Sequence, residues 1–373
     1  MKICLFQDYL RSGGTERQTI LLAHAFHADG HAVNVLTCRP GGALAVTLAP
    51  LPQTVLQPFD LGLNGFAPGL MRTLRAVSPE VVLCMGRMAN CHAGRIQRAL
   101  PRTTVVGTLR TGKALPWFFR RSLHQVAHVV ANSAESAGVL TGVHQMPPER
   151  VSVIHNALVF PPETGAPSSR DEALRARHGA GPATRVLLCV GMLRPEKNQR
   201  ALIEIAAALP RTSDWQLWLA GEGPARSDCE TLAHRLGVTD RVRFLGFQAD
   251  PTPLYRAADV AVLASRAESL SNFLIEAQAH GLPAVAFAAG GVRECMQPGV
   301  TGAVITPDDT QGFLAALRPY LEDEALCERA GTAARTFARA AFEPARQARA
   351  YLDLFAQLRR SSADPAAPRT HEV

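Results

Sequence analysis

The residues best suited to chemistry lie in one stretch between residues 264 and 291. Glu268 and Glu276 stand eight positions apart, and the Ser-Leu-Ser-Asn run between them leads into an apolar helix pattern near Phe273. A loop entering a helix offers free backbone N–H groups and the positive end of the helix dipole, which suit a phosphate or sugar hydroxyls. Glu276, in the first or second helical turn, can accept hydrogen bonds from a ribose diol. The stretch therefore predicts a site for a phosphorylated or sugar-containing ligand.

A second group lies in the sequence VGMLRPEKNQ at residues 190–199, between a strand pattern and a helix pattern. Arg194 and Lys197 stand three positions apart in this turn, so both cations can face one ligand. A diphosphate, with about two negative charges, needs such neutralisation. Lys197 is one of three lysines among 39 basic residues, which indicates that this position specifically requires an ammonium group. The alternative interpretation is a solvated basic turn.

Two runs of alternating strands and helices must position these groups. Apolar segments such as Val81–Cys84 and Val260–Leu263 alternate with amphipathic segments such as Glu16–Ala28. This pattern predicts α/β domains with doubly wound, mostly parallel sheets. We expect a first Rossmann-like domain over 1–160, a linker over 161–181, a second Rossmann-like domain over 182–343, a C-terminal helix over 344–360 that crosses back to the first domain, and a disordered tail over 361–373.

Composition limits the functional classes. The chain has 373 residues, of which 47% are hydrophobic and 19% charged, values typical of a globular rather than a disordered protein. The net charge is +7, and residues 1–160 alone hold 15 basic and 7 acidic residues, which predicts an anionic partner for the first half. The eight cysteines contain no C-x-x-C pair, which favours reduced thiols in a cytoplasmic protein. Asp8 interrupts the first apolar run too early for a signal peptide, and no run of about 18 apolar residues predicts a membrane span.

The order of motifs resembles the retaining, family 4 glycosyltransferases of GT-B fold, also described as glycosyl transferases group 1. The resemblance extends from about residue 3 to residue 350, and its second half is the more specific. The matching motifs are SGGTE at 12–16, IHNA at 154–157, VGMLRPEKNQ at 190–199, LAGEGP at 219–224, FLGF at 244–247, the Glu-x7-Glu loop, and GGVRE at 290–294.

This resemblance implies two Rossmann-like domains facing across a cleft, with the nucleotide-sugar donor bound by the second domain. Glu276 would bind the ribose, the turn at Phe247 and Gln248 would wall the base, and Gly13 and Gly14 would approach the diphosphate from the first domain. The implied donor-binding residues are Gly13, Gly14, Arg194, Lys197, Phe247, Gln248, Glu268, Leu270, Ser271, Asn272, Phe273 and Glu276.

The resemblance also implies a mechanism. Glu268, Arg194 and Lys197 would be the catalytic residues: Glu268 would contact sugar hydroxyls, and the two cations would stabilise the leaving diphosphate. The leaving phosphate oxygen would itself take the acceptor's proton, so retention would need no enzymic nucleophile. No D-x-D motif is present, and we expect no metal and no other cofactor. The donor is expected to be linked to UDP or GDP.

The first domain would bind a lipid-linked or cell-envelope polysaccharide acceptor. Many family members have a histidine where this chain has Arg110, so Arg110 and His92 are candidates for acceptor or sugar contact. The run RTGKALPWFFRR at 110–121 mixes aromatic residues with cations, as peripheral membrane segments do. Its predicted membrane-contact residues are Lys113, Trp117, Phe118, Phe119, Arg120 and Arg121. The alternative is a helix whose aromatic side chains pack in the core.

Other functional classes stay open or are disfavoured. A GT-B nucleotide-sugar epimerase or hydrolase, and a non-catalytic nucleotide-sugar-binding protein, would show the same donor motifs. The segment GEGPAR at 221–226 lacks the third glycine of the dinucleotide fingerprint, which disfavours a dehydrogenase. No nucleic-acid reader motif accompanies the basic charge, so nucleic acid is not an expected partner. An anionic membrane surface on the inner face of the cytoplasmic membrane is the preferred partner.

Overall fold

The computed structural model describes residues 1–11, 13–63, 65–112, 114–160 and 170–363. It divides into two compact units. The first comprises Met1–Ala157 together with the C-terminal segment from Pro344, and the second comprises Leu158–Glu343. The first unit therefore ends three residues before the predicted boundary at 160.

The first unit contains seven strands and six helices within its described residues. Its strands are β1 (Lys2–Gln7), β2 (Ala32–Thr37), β3 (Gln53–Val55), β4 (Val81–Cys84), β5 (Thr104–Leu109), β6 (His128–Ala131) and β7 (Val151–Val153). Its helices are α1 (Gly14–Ala28), α2 (Leu70–Val77), α3 (Arg87–Ala99), α4 (Trp117–Leu123), α5 (Ala134–Gly138) and, at the end of the chain, α13 (Pro344–Ala363).

The second unit contains six strands and seven helices within its described residues. Its strands are β8 (Arg185–Val190), β9 (Trp215–Ala220), β10 (Val242–Gly246), β11 (Val260–Leu263), β12 (Ala284–Phe287) and β13 (Gly302–Ile305). Its helices are α6 (Glu172–Arg177), α7 (Gln199–Ala207), α8 (Arg226–Arg235), α9 (Thr252–Ala257), α10 (Asn272–Ala279), α11 (Thr310–Glu322) and α12 (Glu324–Ala341).

Both sheets are parallel in every described ladder and share one topology. The strand order is β3-β2-β1-β4-β5-β6-β7 in the first unit and β10-β9-β8-β11-β12-β13 in the second. The predicted pair of doubly wound sheets is thus confirmed. In each sheet the order reverses beside its first strand, between β1 and β4 and between β8 and β11. Open α/β sheets bind ligands at the carboxyl ends of the strands at such a switch point.

The segment 170–181, predicted to be linker, is anchored in the second unit. Asp171 caps α6 by accepting a hydrogen bond from the amide of Leu174 at 3.0 Å. The fully buried Arg175 donates to the carbonyl of Ala257 at 2.7 Å and to the carboxylate of Asp259 at 3.1 Å. A buried guanidinium is tolerated because the paired carboxylate and this carbonyl offset the cost of removing it from water. The part of the predicted linker over 161–169 lies outside the described residues.

The C-terminal helix packs within the first unit. Tyr351 and Phe355 of α13 are fully buried and lie edge-on to Phe26 of α1, with ring centroids 6.4 Å and 5.9 Å from that of Phe26. The helix continues to Ala363, three residues past its predicted end at 360. Residues 361–363 of the predicted disordered tail are therefore helical, and the rest of that tail lies outside the described residues.

Candidate functional site

The switch point of the second sheet brings together two of the predicted catalytic residues. Lys197 ends a short 3₁₀ turn that follows β8, and Glu268 lies in the loop that follows β11, the neighbour of β8 in the sheet. The Nζ atom of Lys197 donates to Oε1 of Glu268 at 2.6 Å. The two residues are 71 positions apart in the chain, and the sheet order alone makes them neighbours.

The pair can offer a cation to a charged ligand. The side chain of Glu268 is nearly buried, whereas that of Lys197 is partly exposed. The carboxylate fixes the ammonium by a charge-assisted hydrogen bond, and an ammonium group has two further N–H donors. Arg194 lies three residues earlier in the same turn, with its guanidinium 4.0 Å from the carboxylate of Glu196. The turn thus carries two cations at the edge of the sheet where ligands bind.

Glycine at position 290 sets the position of Glu268. Gly290 has a left-handed φ of +55°, and a Cβ atom there would lie 1.6 Å from the carbonyl oxygen of Glu268. The amide of Gly291 donates to the carbonyl of Ser269 at 3.2 Å. The GGVRE motif therefore supports the Glu268 loop by close backbone contact, which only glycine permits.

Two further glycines, whose role the sequence did not reveal, join the loops after β8 and β9. A Cβ atom at Gly221 would lie 2.0 Å from the carbonyl oxygen of Gly191, and one at Gly223 would lie 2.2 Å from that of Leu193. The amide of Leu193 donates to the carbonyl of Glu222 at 3.0 Å. The segment at 221–226, which lacks the third glycine of the dinucleotide fingerprint, is thus a close-packing motif. It holds the turn that carries Arg194. A glycine pair directly after a strand is the signal that could have identified it.

The start of α10 differs in part from the prediction. Ser271 caps the helix by accepting from the amide of Leu274 at 3.4 Å. The amide of Ser271 itself donates to the buried Sγ of Cys295 at 3.3 Å. The Ser271 amide thus has an acceptor within the chain, and its use for a phosphate or sugar stays a prediction. Burial raises the pKa of the Cys295 thiol, which keeps it neutral.

Glu276 is held by a residue that the sequence did not single out. The hydroxyl of Tyr255, on α9, donates to Oε2 of Glu276 at 2.6 Å. The ring of Tyr255 stacks on His280 at 4.9 Å and on Phe273 at 6.3 Å, measured between centroids. Burial lowers the pKa of His280, so this stack is uncharged at neutral pH. Tyr255 therefore orients the carboxylate that was predicted to bind ribose.

The other predicted donor residues lie in different environments. Leu270 and Phe273 are buried, so their side chains belong to the core and only their backbones can meet a ligand. Phe247 is exposed in the turn after β10. The side-chain amide of Gln248 donates to the carbonyl of Leu245 at 2.8 Å, which shapes that turn. Asn272 is the first residue of α10.

At the start of α1, the predicted diphosphate contact Gly13 meets a carboxylate of its own chain, and Gly14 is the first residue of the helix. A Cβ atom at Gly13 would lie 2.4 Å from Oε2 of Glu16. Glu16 thus folds back over the first turn, and burial raises the pKa of its carboxyl group. An anionic ligand at this helix end would have to displace the Glu16 side chain.

The switch point of the first sheet holds an acid in a structural role. Asp8 follows β1, and its carboxylate accepts hydrogen bonds from the amides of Met88 at 2.9 Å and Ala89 at 2.8 Å. These are the second and third residues of α3, which follows β4. Asp8 therefore caps α3 and neutralises its helix dipole. Burial raises the pKa of this carboxyl group.

Arg110 and His92, the predicted acceptor contacts, both have partners within the first unit. The guanidinium of Arg110 donates to Oδ1 of Asn156 and, at 2.9 Å, to the hydroxyl of Tyr351 on α13. Nε2 of His92 lies 3.1 Å from the carbonyl oxygen of Gly65. Burial lowers the pKa of His92, so it is neutral at pH 7. Arg110 is thus a cation held by neutral groups.

The predicted membrane contacts divide by burial. Trp117 and Phe118 are exposed, with Arg121 stacked over the ring of Trp117 at 5.2 Å, and Arg120 is also exposed. Phe119 is only 1% exposed and packs in the core of the first unit. Its inclusion in the membrane contact is wrong, because it projects from the inner face of α4. Lys113 lies outside the described residues.

The described residues offer neither a metal-binding cluster nor a membrane-spanning helix. No group of three or more His, Cys, Asp or Glu side chains in the described ranges is arranged to hold a metal ion. None of the described helices is long and apolar enough to cross a membrane.

Solved structures show the fold class. The structure of Alr3699/HepE from Anabaena, in complex with UDP, has a TM-score of 0.80, is 22% identical, and matches 96% of this chain and 100% of its own. The two Rossmann-like units therefore make this a protein of the GT-B glycosyltransferase fold.

Sequence comparisons show the family. The Glycosyltransferase Family 4 model matches residues 12–158, and the Glycosyl transferases group 1 model matches residues 170–337. The alpha-D-kanosaminyltransferase of Streptomyces kanamyceticus is 30% identical over 271 residues, covering 72% of this chain and 67% of its own. This chain belongs to the group 1 glycosyltransferases, with an N-terminal family 4 region.

Another relative matches a shorter part. The D-inositol 3-phosphate glycosyltransferase of Mycolicibacterium gilvum (strain PYR-GCK) is 34% identical over 197 residues, which is 51% of this chain. The match spans only 43% of that relative's length, so the chain covers less than half of it.

Proposed function

We propose that this protein transfers a sugar from a nucleotide-sugar donor, linked to UDP or GDP, to an acceptor, with retention of configuration and without a metal. The observation that carries the proposal is the Lys197–Glu268 pair at the switch point between β8 and β11, with Nζ and Oε1 2.6 Å apart. A cation paired to a nearly buried carboxylate offers N–H donors to a phosphate and a carboxylate oxygen to sugar hydroxyls. The UDP in the Alr3699/HepE structure supports a uridine donor.

Each part of the donor has a proposed partner. Arg194 and Lys197 neutralise the diphosphate, and Glu268 accepts from the sugar hydroxyls. Glu276, held by Tyr255, accepts from the ribose diol. The exposed ring of Phe247 covers the base, and the backbone at the start of α10 contacts the sugar and distal phosphate.

The proposed reaction uses the leaving group as the base. The bond between the anomeric carbon and the diphosphate oxygen breaks, the acceptor oxygen bonds to the same face, and the acceptor's proton passes to the departing phosphate oxygen. Arg194 and Lys197 stabilise the negative charge that develops on that phosphate. Since two side-chain cations take this role, we expect turnover to survive removal of divalent metal with EDTA.

The proposed acceptor is anionic and either lipid-linked or part of the cell envelope. The first unit supports this class by its charge: its residues 1–157 and 344–363 contain 19 basic and 8 acidic residues. An inositol phosphate, named for the Mycolicibacterium gilvum relative, is an acceptor of the same charge sign. Arg110 is the proposed cation for acceptor recognition, and His92 is the second proposed contact.

Titration calorimetry with UDP- and GDP-sugars tests the donor site. Lys197→Ala and Glu276→Ala should each weaken donor binding at least tenfold, because each removes a charged hydrogen-bonding partner. Arg318→Ala, on the exposed surface of α11, is the matched control and should bind as the wild type does. Unchanged affinity in both site variants would overturn the assignment.

Product analysis separates transfer from the related activities. With an envelope-lipid extract as acceptor, the anomeric configuration of the product should equal that of the donor. Complete consumption of the donor without any acceptor would instead indicate a hydrolase or an epimerase. Donor binding without transfer to any acceptor fraction would indicate a binding protein.

A further inference from the structure

A cleft of the second unit lies on the edge of the sheet opposite to the proposed donor site. Arg185, Asp259 and Leu282 line it. Arg185 is the first residue of β8, Asp259 directly precedes β11, and Leu282 lies two residues before β12. The cleft is therefore at the amino ends of these strands. Its volume of about 190 Å³ is several times the roughly 30 Å³ that one water molecule takes up in the liquid, so it has room for a small ligand.

Half of the arginines in the described lining are already neutralised. Arg170 and Arg185 both pair with the carboxylate of Asp259, which is buried. Both guanidinium groups also lie within 4.0 Å of the carboxylate of Glu324. These two cations have little charge left to offer, so a ligand must be recognised by the other charged groups of the cleft.

The other charged groups of the described lining are two arginines and one acid. Arg256 is exposed and Arg335 is half-buried, and neither pairs with a carboxylate of the described chain. The Nη2 atom of Arg335 donates to the carbonyl of His280 at 3.3 Å. A Cβ atom at Gly281 would lie 2.8 Å from this nitrogen, so glycine makes room for the cation. Because the acid, Glu328, is exposed, the cleft can offer two cations to an anion.

His280 lines the same cleft and contributes a buried hydrogen-bond acceptor. Its Nδ1 atom lies 2.7 Å from the carbonyl oxygen of Glu276. A carbonyl oxygen only accepts, so Nδ1 carries the proton and Nε2 of the neutral ring is an acceptor. Nε2 is buried and has no hydrogen-bond partner among the residues that the structure describes. A buried acceptor without a donor is costly, so this ring favours a ligand that brings an O–H group.

Hydrogen phosphate meets both requirements of the cleft. Its charged oxygens accept hydrogen bonds from guanidinium groups, and its one O–H group can donate to a ring nitrogen. Sulfate has the same shape and charge but no O–H group at neutral pH. A phosphate monoester has a second pKa of about 6, so at pH 7.5 it too has lost this donor. Among these three anions, the cleft therefore favours inorganic phosphate.

We propose that the cleft at the amino ends of β8, β11 and β12 binds inorganic hydrogen phosphate. Arg256 and Arg335 bind its charged oxygens, and Nε2 of His280 accepts from its O–H group. The ring of Tyr255, stacked on His280 at 4.9 Å between centroids, holds the acceptor in position before the ligand binds. The site goes beyond the proposed function and does not rest on it, because none of these groups belongs to the proposed diphosphate site.

Titration calorimetry of the full chain at pH 7.5 tests the choice of anion. An Arg194→Ala/Lys197→Ala background removes the cations of the proposed donor site, so that they do not bind the probe. In this background, inorganic phosphate should bind about tenfold more tightly than sulfate or glycerol 3-phosphate, because only phosphate satisfies the buried acceptor. Equal affinities for phosphate and sulfate would overturn the proposal. Tighter binding of glycerol 3-phosphate would overturn it in favour of a phosphorylated metabolite.

Two substitutions in the same background test the position of the phosphate. Arg335→Gln removes a charged donor and should weaken phosphate binding about tenfold. Arg329→Gln is the matched control, because Arg329 is an exposed residue of the same helix, α12, and lies outside the cleft. The control should leave the phosphate affinity unchanged. His280→Asn keeps an N–H group for the carbonyl of Glu276 but removes Nε2, so it should abolish the preference for phosphate over sulfate.

The melting temperatures without phosphate show whether the variants are folded. If Arg335→Gln is unfolded, the comparison of phosphate with sulfate and the His280→Asn variant still decide the matter. Equal losses in Arg335→Gln and Arg329→Gln, or a preference for phosphate that survives His280→Asn, would contradict the proposal. Titrations of nucleotide sugars do not report on this cleft, so the donor site and the phosphate site can each fail alone.

Discussion

The two sheets have the same switch-point topology but place different chemistry there. In the second unit, the residues after β8 and β11 form a partly exposed Lys197–Glu268 pair. In the first unit, the residues after β1 and β4 form a helix cap, with Asp8 bound to the amides that begin α3. The switch point of the second unit holds ionic groups that can contact a ligand, whereas Asp8 at the switch point of the first unit has a structural role.

The two units also differ in charge. Residues 158–343 contain 19 basic and 22 acidic residues, whereas residues 1–157 and 344–363 contain 19 and 8. The surplus of positive charge is larger than the first 160 residues suggested, because α13 joins this unit with four arginines. A small number of placed cations would thus suffice for the proposed donor, and the positive surplus of the first unit would serve the proposed acceptor.

The largest expected effect is a loss of stability when the carboxylate of an arginine–aspartate ion pair is removed. Each unit has one such pair, so the two losses can be compared. In the second unit, the Asp259 side chain is 1% exposed and pairs with the fully buried Arg175. Asp259→Asn should cost about 3–5 kcal/mol of unfolding free energy, because it leaves a buried guanidinium uncompensated. Urea unfolding followed by the fluorescence of the buried Trp215 and Trp218 measures this loss.

The matched variant lies in the first unit. Asp60 pairs with Arg39, but the Asp60 side chain is 46% exposed, so water can replace the lost partner. Asp60→Asn should therefore lower stability far less than Asp259→Asn does. Equal losses would show that burial does not distinguish the two pairs.

The next effect is catalytic and tests the glycine beside Glu268. Gly290→Ala places a methyl group against the Glu268 carbonyl and should lower kcat/KM about a hundredfold, or about 2.7 kcal/mol. Gly299→Ala is the control: its φ is +82°, but a Cβ atom there meets nothing within 4 Å. Steady-state kinetics should show the control within a few-fold of the wild type. Comparable losses would assign the effect to backbone strain alone.

A third effect is a pH dependence of the first unit. Burial lowers the pKa of His128 from 6.5 to about 4, so the folded state prefers the neutral ring. Its contribution is complete above pH 6.5 and is lost as the pH falls towards 4. At pH 5 the loss should be about 2 kcal/mol. Urea unfolding at pH 7.5 and pH 5 should show a smaller pH dependence in His128→Gln, and an unchanged dependence would contradict this assignment.

The smallest effect concerns the hydroxyl that orients Glu276. Tyr255→Phe removes one hydrogen bond to the carboxylate and should raise the KM for the donor about fivefold, or about 1 kcal/mol. The value of kcat should stay unchanged, because the ribose does not take part in the reaction. Tyr320→Phe, on α11, is the control. A fall in kcat without a change in KM would give Tyr255 a different role.

The sequence predicted the central strands well but did not predict two of the four edge strands. β4 and β11 have the predicted bounds, because a strand buried on both faces is a continuous apolar run. The edge strands β3 and β13 were missed. β3 has three residues, two of them polar, and an edge strand has no need of such a run.

The site was predictable in its residue types but not in its contacts. Motif spacing identified Lys197, Glu268 and Glu276, whereas Tyr255 and Cys295 emerge only when helices pack together. Phe119 was wrongly assigned to the membrane contact, because the sequence of an aromatic run does not show which side chain faces the core.

Because α13 lies at the end of the chain but packs in the first unit, we expect the two units to complete their folding in a fixed order during synthesis on the ribosome. All residues of the second unit have emerged once Glu343 has left the exit tunnel. The first unit still lacks Tyr351 and Phe355, which pack on Phe26 of α1. Domains generally fold as units, so the unit that begins the chain should be the last to complete its core. A nascent chain stalled with Glu343 just outside the exit tunnel should therefore protect the second unit from protease and leave the first unit sensitive.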